Sequence, residues 1–453
     1  MELYPYQQKS VEFLKIKGTA MVGHEVGLGK TLIALSVLAN AKKENRPHKT
    51  LVLCPAILKL QWKSEQEKFF PEFKSVVITG NAEERARLWL ARADIYIANY
   101  ELLQRDFNFA GGTVWDYVIC DEATRISNPR TKTYKILSKL KSVNRLAMTG
   151  TPLNNRVQDI YGIINWLKPG YLGNYYAFLN RYCVKNYWGS VVGYVNLEEL
   201  RKRIRPLITR KTKEEVLPEL PDKIISEVPF ELSEEERMLY DKITKELLFE
   251  IEQADISKVE NPITIQATIT KMLRLRQLTG SMELLGEKNK SSKLDVLKEL
   301  LPMALEGEKK AIIFTFFSKM ADILERELAV YKPLKITGSV NHREDIIEEF
   351  NNNASRQILL MTSAGQYGLN IQIASVVIHY DNEWSIAKME QREGRAHRIN
   401  QKNNVLVYHL IARKTMDEYI KKVLYKKQKL ANQLLGEQIG VKEIKEILTY
   451  GIQ

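Results

Sequence analysis

Ten short apolar runs, set in two groups of five, constrain this chain more than any other feature. "TLVLCP", "SVVIT", "DIYIAN", "DYVICDE" and "RLAMTGT" end near residue 151. "KAIIFTF", "PLKITG", "QILLMTS", "SVVIHY" and "VLVYHLI" follow from about 310 to 411. Each run has strand length, and amphipathic segments alternate with them. Parallel strands buried on both faces read as continuous apolar runs and need a crossover, usually a helix, between them. The pattern predicts an α/β fold with two parallel sheets. Between them, roughly 155 to 305, the period turns helical and the chain is aromatic and basic. "SEEERMLYDKITKELLFEIEQ" opens with Ser233 and Glu236 at capping-box spacing, which predicts a long helix. The tail "YIKKVLYKKQKLANQLLG" places Ile420, Val423, Leu424, Leu430 and Leu434 on one helical face, with lysines opposite. The expected division is a first lobe over 1–222, with a helical insertion at about 155–222. A second lobe follows over 223–420, with an insertion at about 231–300, and then a basic amphipathic tail over 421–453.

The chemistry starts at "GHEVGLGKT", Gly23 to Thr31. A phosphate loop reads G-x-x-x-x-G-K-[ST]. Here the first glycine falls one place early, and His24 stands in its position. An apolar-containing segment precedes the loop and "TLIALSVLANAKK" follows with helical period, the strand–loop–helix setting that phosphate binding needs. Gly27 and Gly29 let backbone N–H groups approach phosphate oxygens, and the helix beginning near Lys30 adds orphan donors and partial positive charge. Lys30 is placed to reach the β- and γ-phosphates, and Thr31 to ligate Mg²⁺. A tight glycine turn carrying a surface lysine would use the same letters. "DYVICDEAT" weighs against that reading, because a strand running into two carboxylates is the second half of a nucleotide hydrolase. Asp121 would hold the Mg²⁺ shell, and Glu122 would orient and deprotonate the attacking water.

Charge and cysteines bound the partners. The formal net charge is +13, with 68 Lys+Arg against 55 Asp+Glu. That surplus suits a polyanionic partner, although a solvated basic surface gives the same count. Cys54, Cys120 and Cys183 form no CxxC, and the six histidines form no HxxxH pair. A disulfide framework and a His/Cys metal site are not expected, and a reducing cytosol fits. No run approaches the ~18 apolar residues of a membrane span, so no membrane partner is expected.

"DEAT" resembles the DEAD/DEAH boxes of superfamily-two helicases and translocases. "LYPYQ" looks like their adenine-reading motif, which assigns Gln7 to the base edge. "LVLCPAILKLQWKSEQEKF" and "IYIANYELL" resemble segments that contact nucleic acid. "LAMTGTPLNN" resembles the motif whose Thr149, Gly150 and Thr151 couple nucleotide state to nucleic acid. The narrower resemblance is to Swi/Snf-type double-stranded DNA translocases, whose loop reads D-E-x-G-L-G-K-T without the first glycine. His24 for Asp and Thr124 for the box's final His are departures from that family. "LITRKTKEEVLPELPDK" looks like the Swi/Snf linker; its Arg210 and Lys211, with Arg201, Lys202, Arg203 and Arg205, serve either DNA contact or bracing. "ILLMTSAGQYGLNIQIASVVIHYDNEW" resembles motif V, with Thr362 and Ser363 near DNA phosphates. Trp384 stands where the family has a tryptophan in the minor groove, and here Ser385 and Ile386 replace the usual Asn-Pro.

"EQREGRAHRINQ" resembles motif VI, R-A-H-R-I-G-Q, with Asn400 for Gly. Arg395 and Arg398, three apart on an expected helical face, become arginine fingers, with Gln391 supporting the site; His397 reads as structural. Arg392 is common in helicases. The resemblance implies two RecA-like lobes joined through helical insertions and using ATP and Mg²⁺. It implies an ATP-dependent translocase on double-stranded DNA that grips phosphates without regard to sequence and remodels protein–DNA complexes or DNA structures. A strand-separating DNA or RNA helicase and an ATP-gated DNA clamp or scaffold stay open as alternatives. A motor core without a nuclear localisation cluster suits a bacterial, archaeal or phage-infected cell.

Overall fold

The computed structural model describes residues 3–43, 49–150, 156–187, 191–217, 219–253, 262–287, 291–338, 340, 343–362, 371–383, 385–399, 401–418, 420 and 421. Two compact units divide the chain between Pro218 and Glu219. The α/β expectation holds in both.

The first unit is built on a seven-stranded sheet. Its strands are β1 (Ala20–Val22), β2 (Thr50–Cys54), β3 (Ser75–Val77), β4 (Ile95–Asn99), β5 (Val114–Asp121) and β6 (Lys141–Met148), all but β1 lying in the apolar runs of the sequence. A hairpin of β7 (Cys183–Lys185) and β8 (Val191–Tyr194) lies in the region expected to be helical, and β9 (Ile208–Thr209) completes the sheet. The order is β3-β4-β2-β5-β6-β1-β9, and every pair is parallel. Every residue of β1, β2 and β4 is buried, which is why no polar alternation marks these strands in the sequence. Three helices matter for the site: α1 (Pro5–Lys17), α2 (Lys30–Lys43) and α3 (Lys59–Phe69).

The second unit holds a six-stranded sheet of β10 (Lys223–Phe230), β11 (Ala311–Phe314), β12 (Leu334–Ile336), β13 (Ile358–Met361), β14 (Val376–His379) and β15 (Val405–Ala412). The order is β10-β15-β14-β11-β13-β12, again all parallel. Strand β10 went unread in the sequence: Ile224 and Ile225 are both exposed, so "KIISEVPF" lacks the period of a half-buried strand. Its pairing with β15, not its own pattern, makes it a strand. The helix Glu234–Gln253 starts as expected. Glu236 N–H donates to Ser233 Oγ at 3.3 Å, and Ser233 N–H donates to Glu236 Oε2 at 2.9 Å. The proposed apolar face of the tail lies largely outside the described residues. Among the described residues no helix is long and apolar enough to cross a membrane.

Candidate active site

Strand register assembles the site. Asp121 and Val22 both pair with Met148, and Val22 also pairs with Thr209. The C-terminal ends of β5, β6, β1 and β9 are therefore level and adjacent on one sheet edge. The carboxylates, Thr149 and Gly150, the loop from Gly23 and the residues from Arg210 all leave the sheet there. Open parallel sheets place ligands at this edge, because the loops that leave it carry the free backbone donors.

The loop is tightly determined. Gly29 has a φ of +69°, which favours glycine, and a Cβ there would displace the Gln7 amide, whose Nε2 would lie 2.6 Å away. Gly150 is limited by space alone: its Cβ would lie 2.7 Å from Val26 Cγ2 and 3.4 Å from Lys30 Nζ. The motif containing Thr149 and Gly150 thus lies against the loop, and Thr149 is fully buried with its amide on Val22 O. Lys30 Nζ donates to the carbonyls of His24 at 3.0 Å and Glu25 at 3.2 Å. Thr31 is half-buried in the first turn of α2. Helix α1 is pinned to the same loop, with Tyr6 OH donating to Leu28 O at 3.1 Å. Gln7 is 2% exposed; its Oε1 accepts from Tyr4 N–H and its Nε2 faces Leu28 O at 3.5 Å.

His24 explains its own presence. It is fully buried, and its Nε2 lies 2.8 Å from Ser10 Oγ on α1. Ser10 spends its only proton on Tyr6 O, so its oxygen accepts and His24 carries its proton on Nε2. Burial, helped by Lys30, Arg210 and Lys211, pushes the His24 imidazole down to about 3. A neutral imidazole therefore ties α1 to the loop.

The two carboxylates differ in setting. Asp121 Oδ1 accepts from Glu122 N–H at 2.9 Å, and Oδ2 accepts from the Trp62 indole N–H at 2.9 Å. Trp62, on α3, is 1% exposed. Both oxygens are thus fixed, and each keeps a lone pair. Burial pushes the Asp121 carboxyl up, opposed by Trp62, Lys30 and the Glu122 amide. Glu122 is only half-buried and has a φ of +50°. A non-glycine residue in the left-handed region costs about 1–3 kcal/mol, and such strain gathers at functional sites.

In the second unit the arginines part company. The helix Ile386–Glu393 ends before Arg395, and the chain goes on as successive turns, so the expected helical face for Arg395 and Arg398 is not formed. Gly394 follows the helix, and Gln401 Nε2 draws the chain aside, lying within 3.0 Å of the carbonyls of Gln372, Ala374 and Ala396. Arg392 is fully buried and donates to Asp381 O and Glu383 Oε1. Arg395 is 8% exposed and Gln391 5%. Arg398 is half-buried, and no described residue pairs with its guanidinium. His397 Nε2–H donates to Pro221 O at 2.8 Å. Thr362 is buried at the end of β13. Thr151, Ser363 and Trp384 lie outside the described residues.

One cluster was invisible in the sequence. Donor atoms of His379, Glu393 and His409 lie within 4.8 Å of one another, all buried. The imidazoles stack 4.6 Å apart at 5°, so their in-plane lone pairs run parallel and cannot converge on one ion. Glu393 is instead held by Lys223 at 2.7 Å, and His409 Nδ1–H donates to Asn382 Oδ1. Burial would raise the Glu393 carboxyl, but Lys223 and His379 outweigh it and hold it well below the carboxylate range. Burial pushes His409 down to about 3. His24 and His409 therefore fold neutral but take up protons on unfolding below their ordinary value of 6.5. Their stabilisation is complete above 6.5 and is lost as pH falls towards 3, at about 1.4 kcal/mol per pH unit for each. Urea unfolding should show both units weaker at pH 5.5 than at 7.5; equal midpoints would contradict the buried neutral state.

Two family models cover most of the chain, the first running past the boundary between the two units. The SNF2-related domain model matches residues 6–284, and the helicase conserved C-terminal domain model matches 292–400. An uncharacterized ATP-dependent helicase of Mycoplasma genitalium is 32% identical over 449 residues, covering 97% of this chain and 43% of that protein. A putative ATP-dependent helicase/translocase of Bacillus subtilis is 29% identical over 482 residues, covering 99% of this chain and 51% of that protein. The chain thus spans about half or less of these relatives. A Sulfolobus solfataricus SWI2/SNF2 ATPase core solved in complex with dsDNA is 31% identical, covering 96% of this chain and 93% of that one, with a TM-score of 0.48.

Proposed function

The chain belongs to the SNF2-related family, and from that premise we propose that it hydrolyses ATP and uses the energy to move along double-stranded DNA. One observation carries the nucleotide half of the reading: β5, β6 and β1 end level, which sets Asp121, Gly150 and the Lys30 loop side by side. A triphosphate in the loop would draw Lys30 off the His24 and Glu25 carbonyls onto its own oxygens. Thr31 and the doubly held Asp121 offer only hard oxygens, the donor set Mg²⁺ prefers. Bound Mg²⁺ would neutralise phosphate charge. Glu122 would take the proton of the attacking water, and Arg395 and Arg398 would stabilise charge on the transferring phosphoryl group. Gln7 would read the adenine edge.

The DNA half rests on the +13 net charge and on the run of family motifs through both units. Contacts mainly to phosphates would make the grip indifferent to sequence and steeply salt-dependent. The expected result is a hydrolysis rate that rises several-fold with duplex DNA of any sequence and falls back as salt is raised. A rate indifferent to duplex DNA would remove the motor claim.

A further inference from the structure

The segment from Ile208 to Lys213 was read from sequence as part of a linker, yet it is built into the phosphate loop. Strand β9 pairs with β1 immediately before the loop. Gly23 N–H donates to Thr209 O at 2.8 Å, and Glu25 N–H donates to Lys211 O at 3.0 Å. Arg210 Nη1 donates to Gly23 O at 3.3 Å. The Glu25 carboxylate closes the set: it accepts the Lys213 backbone N–H at 2.8 Å and lies 3.7 Å from Lys213 Nζ. Lys213 is only 6% exposed, so this carboxylate meets a shielded partner rather than a solvated one. Glu25 therefore touches four residues, its carbonyl also accepting the Leu28 N–H at 3.4 Å. Its side chain holds Lys213, its amide holds Lys211, and its carbonyl holds the Lys30 ammonium.

That last contact makes the arrangement a switch and not only a brace. Phosphate and the Glu25 carbonyl compete for the same ammonium. When Lys30 transfers to phosphate, the peptide carrying Glu25 loses a charged partner and settles on its other bonds, from the Leu28 N–H to its carbonyl and to Lys211 and Lys213. We propose that Glu25 is a positioning residue that couples triphosphate in the loop to the order of residues 208–213, the stretch that leads out of the first unit. The inference rests on the nucleotide-binding reading above but does not need hydrolysis or DNA. Because coupling is reciprocal, firming the segment must also firm nucleotide binding, and a typical coupling is about 5–150-fold.

The test is hydrogen exchange on the full chain, with and without a non-hydrolysable ATP analogue, alongside equilibrium binding of a fluorescent ATP analogue. In the wild type the analogue should slow exchange of the Glu25 and Lys213 amides by about tenfold, within the range of ordinary coupling energies. Glu25→Ala should still bind, more weakly, but show no nucleotide-dependent change at Lys213. Glu25→Gln keeps an oxygen to accept the Lys213 N–H and should restore the response. A merely structural Glu25 would lower protection in every state and leave the nucleotide-dependent difference intact, which overturns the coupling. Wild-type binding with no change at residues 208–213 overturns it as well. No binding by the wild type overturns the nucleotide reading itself, and the inference with it.

Discussion

Arg398→Ala should lower the turnover number by roughly 10³-fold or more, the lower end of what an arginine finger contributes, while nucleotide affinity changes little. Three arginines lie within seven residues of motif VI, and the structure separates them. Arg392 is buried, with its guanidinium committed to Asp381 O and Glu383. Its removal would take from the buried Glu383 the nearer of its two cations, Lys388 lying 3.9 Å away, so Arg392→Ala should show first as lost stability. Arg395 is nearly buried. Arg398 is half-buried and its guanidinium has no partner among the described residues. An arginine finger meets charge that appears only as the phosphoryl group transfers. Such a contact affects the barrier rather than ground-state binding, so the loss falls on the turnover number and not on the dissociation constant. Steady-state hydrolysis beside equilibrium binding measures both. A turnover number within tenfold of wild type would rule Arg398 out as a finger.

Glu122→Gln is the second large effect. Turnover should fall by about 10²–10⁴, the contribution of a positioned general base, with binding retained. The exchange keeps volume and leaves the Glu122 N–H on Asp121 Oδ1 in place. The half-burial of Glu122 suits a group that must meet water, in contrast with the buried Asp121 beside it. Its left-handed φ sets the direction in which the side chain leaves the turn. Single-turnover hydrolysis with pre-bound nucleotide separates chemistry from binding. Unchanged chemistry would show that the base lies elsewhere.

The sequence made much of the site legible because its chemistry is local. The loop from Gly23 to Thr31 and the Asp121–Glu122 pair each occupy one turn of chain, and short segments carry their own periodicity and steric demands. Where the sequence reading erred, the deciding partner was distant. Arg395 and Arg398 looked helical at three-residue spacing, but Gln401 reaches back to Ala396 and across to Gln372 and Ala374 and ends the winding early. Strand β10 has no readable pattern of its own and exists because β15 pairs with it.

The amino-acid order alone determined that buried parallel strands would form and which segments would carry the glycine loop, the carboxylate pair and the arginines. Folding decided which of those groups are committed and which are available. It put His24 neutral beneath Ser10, Trp62 on Asp121, and Glu25 on Lys213, a partner 188 residues away. A side chain's letter fixes what it can bond to, but its remaining capacity depends on which neighbours sheet register brings to it. That register is set by pairing between strands far apart in the chain.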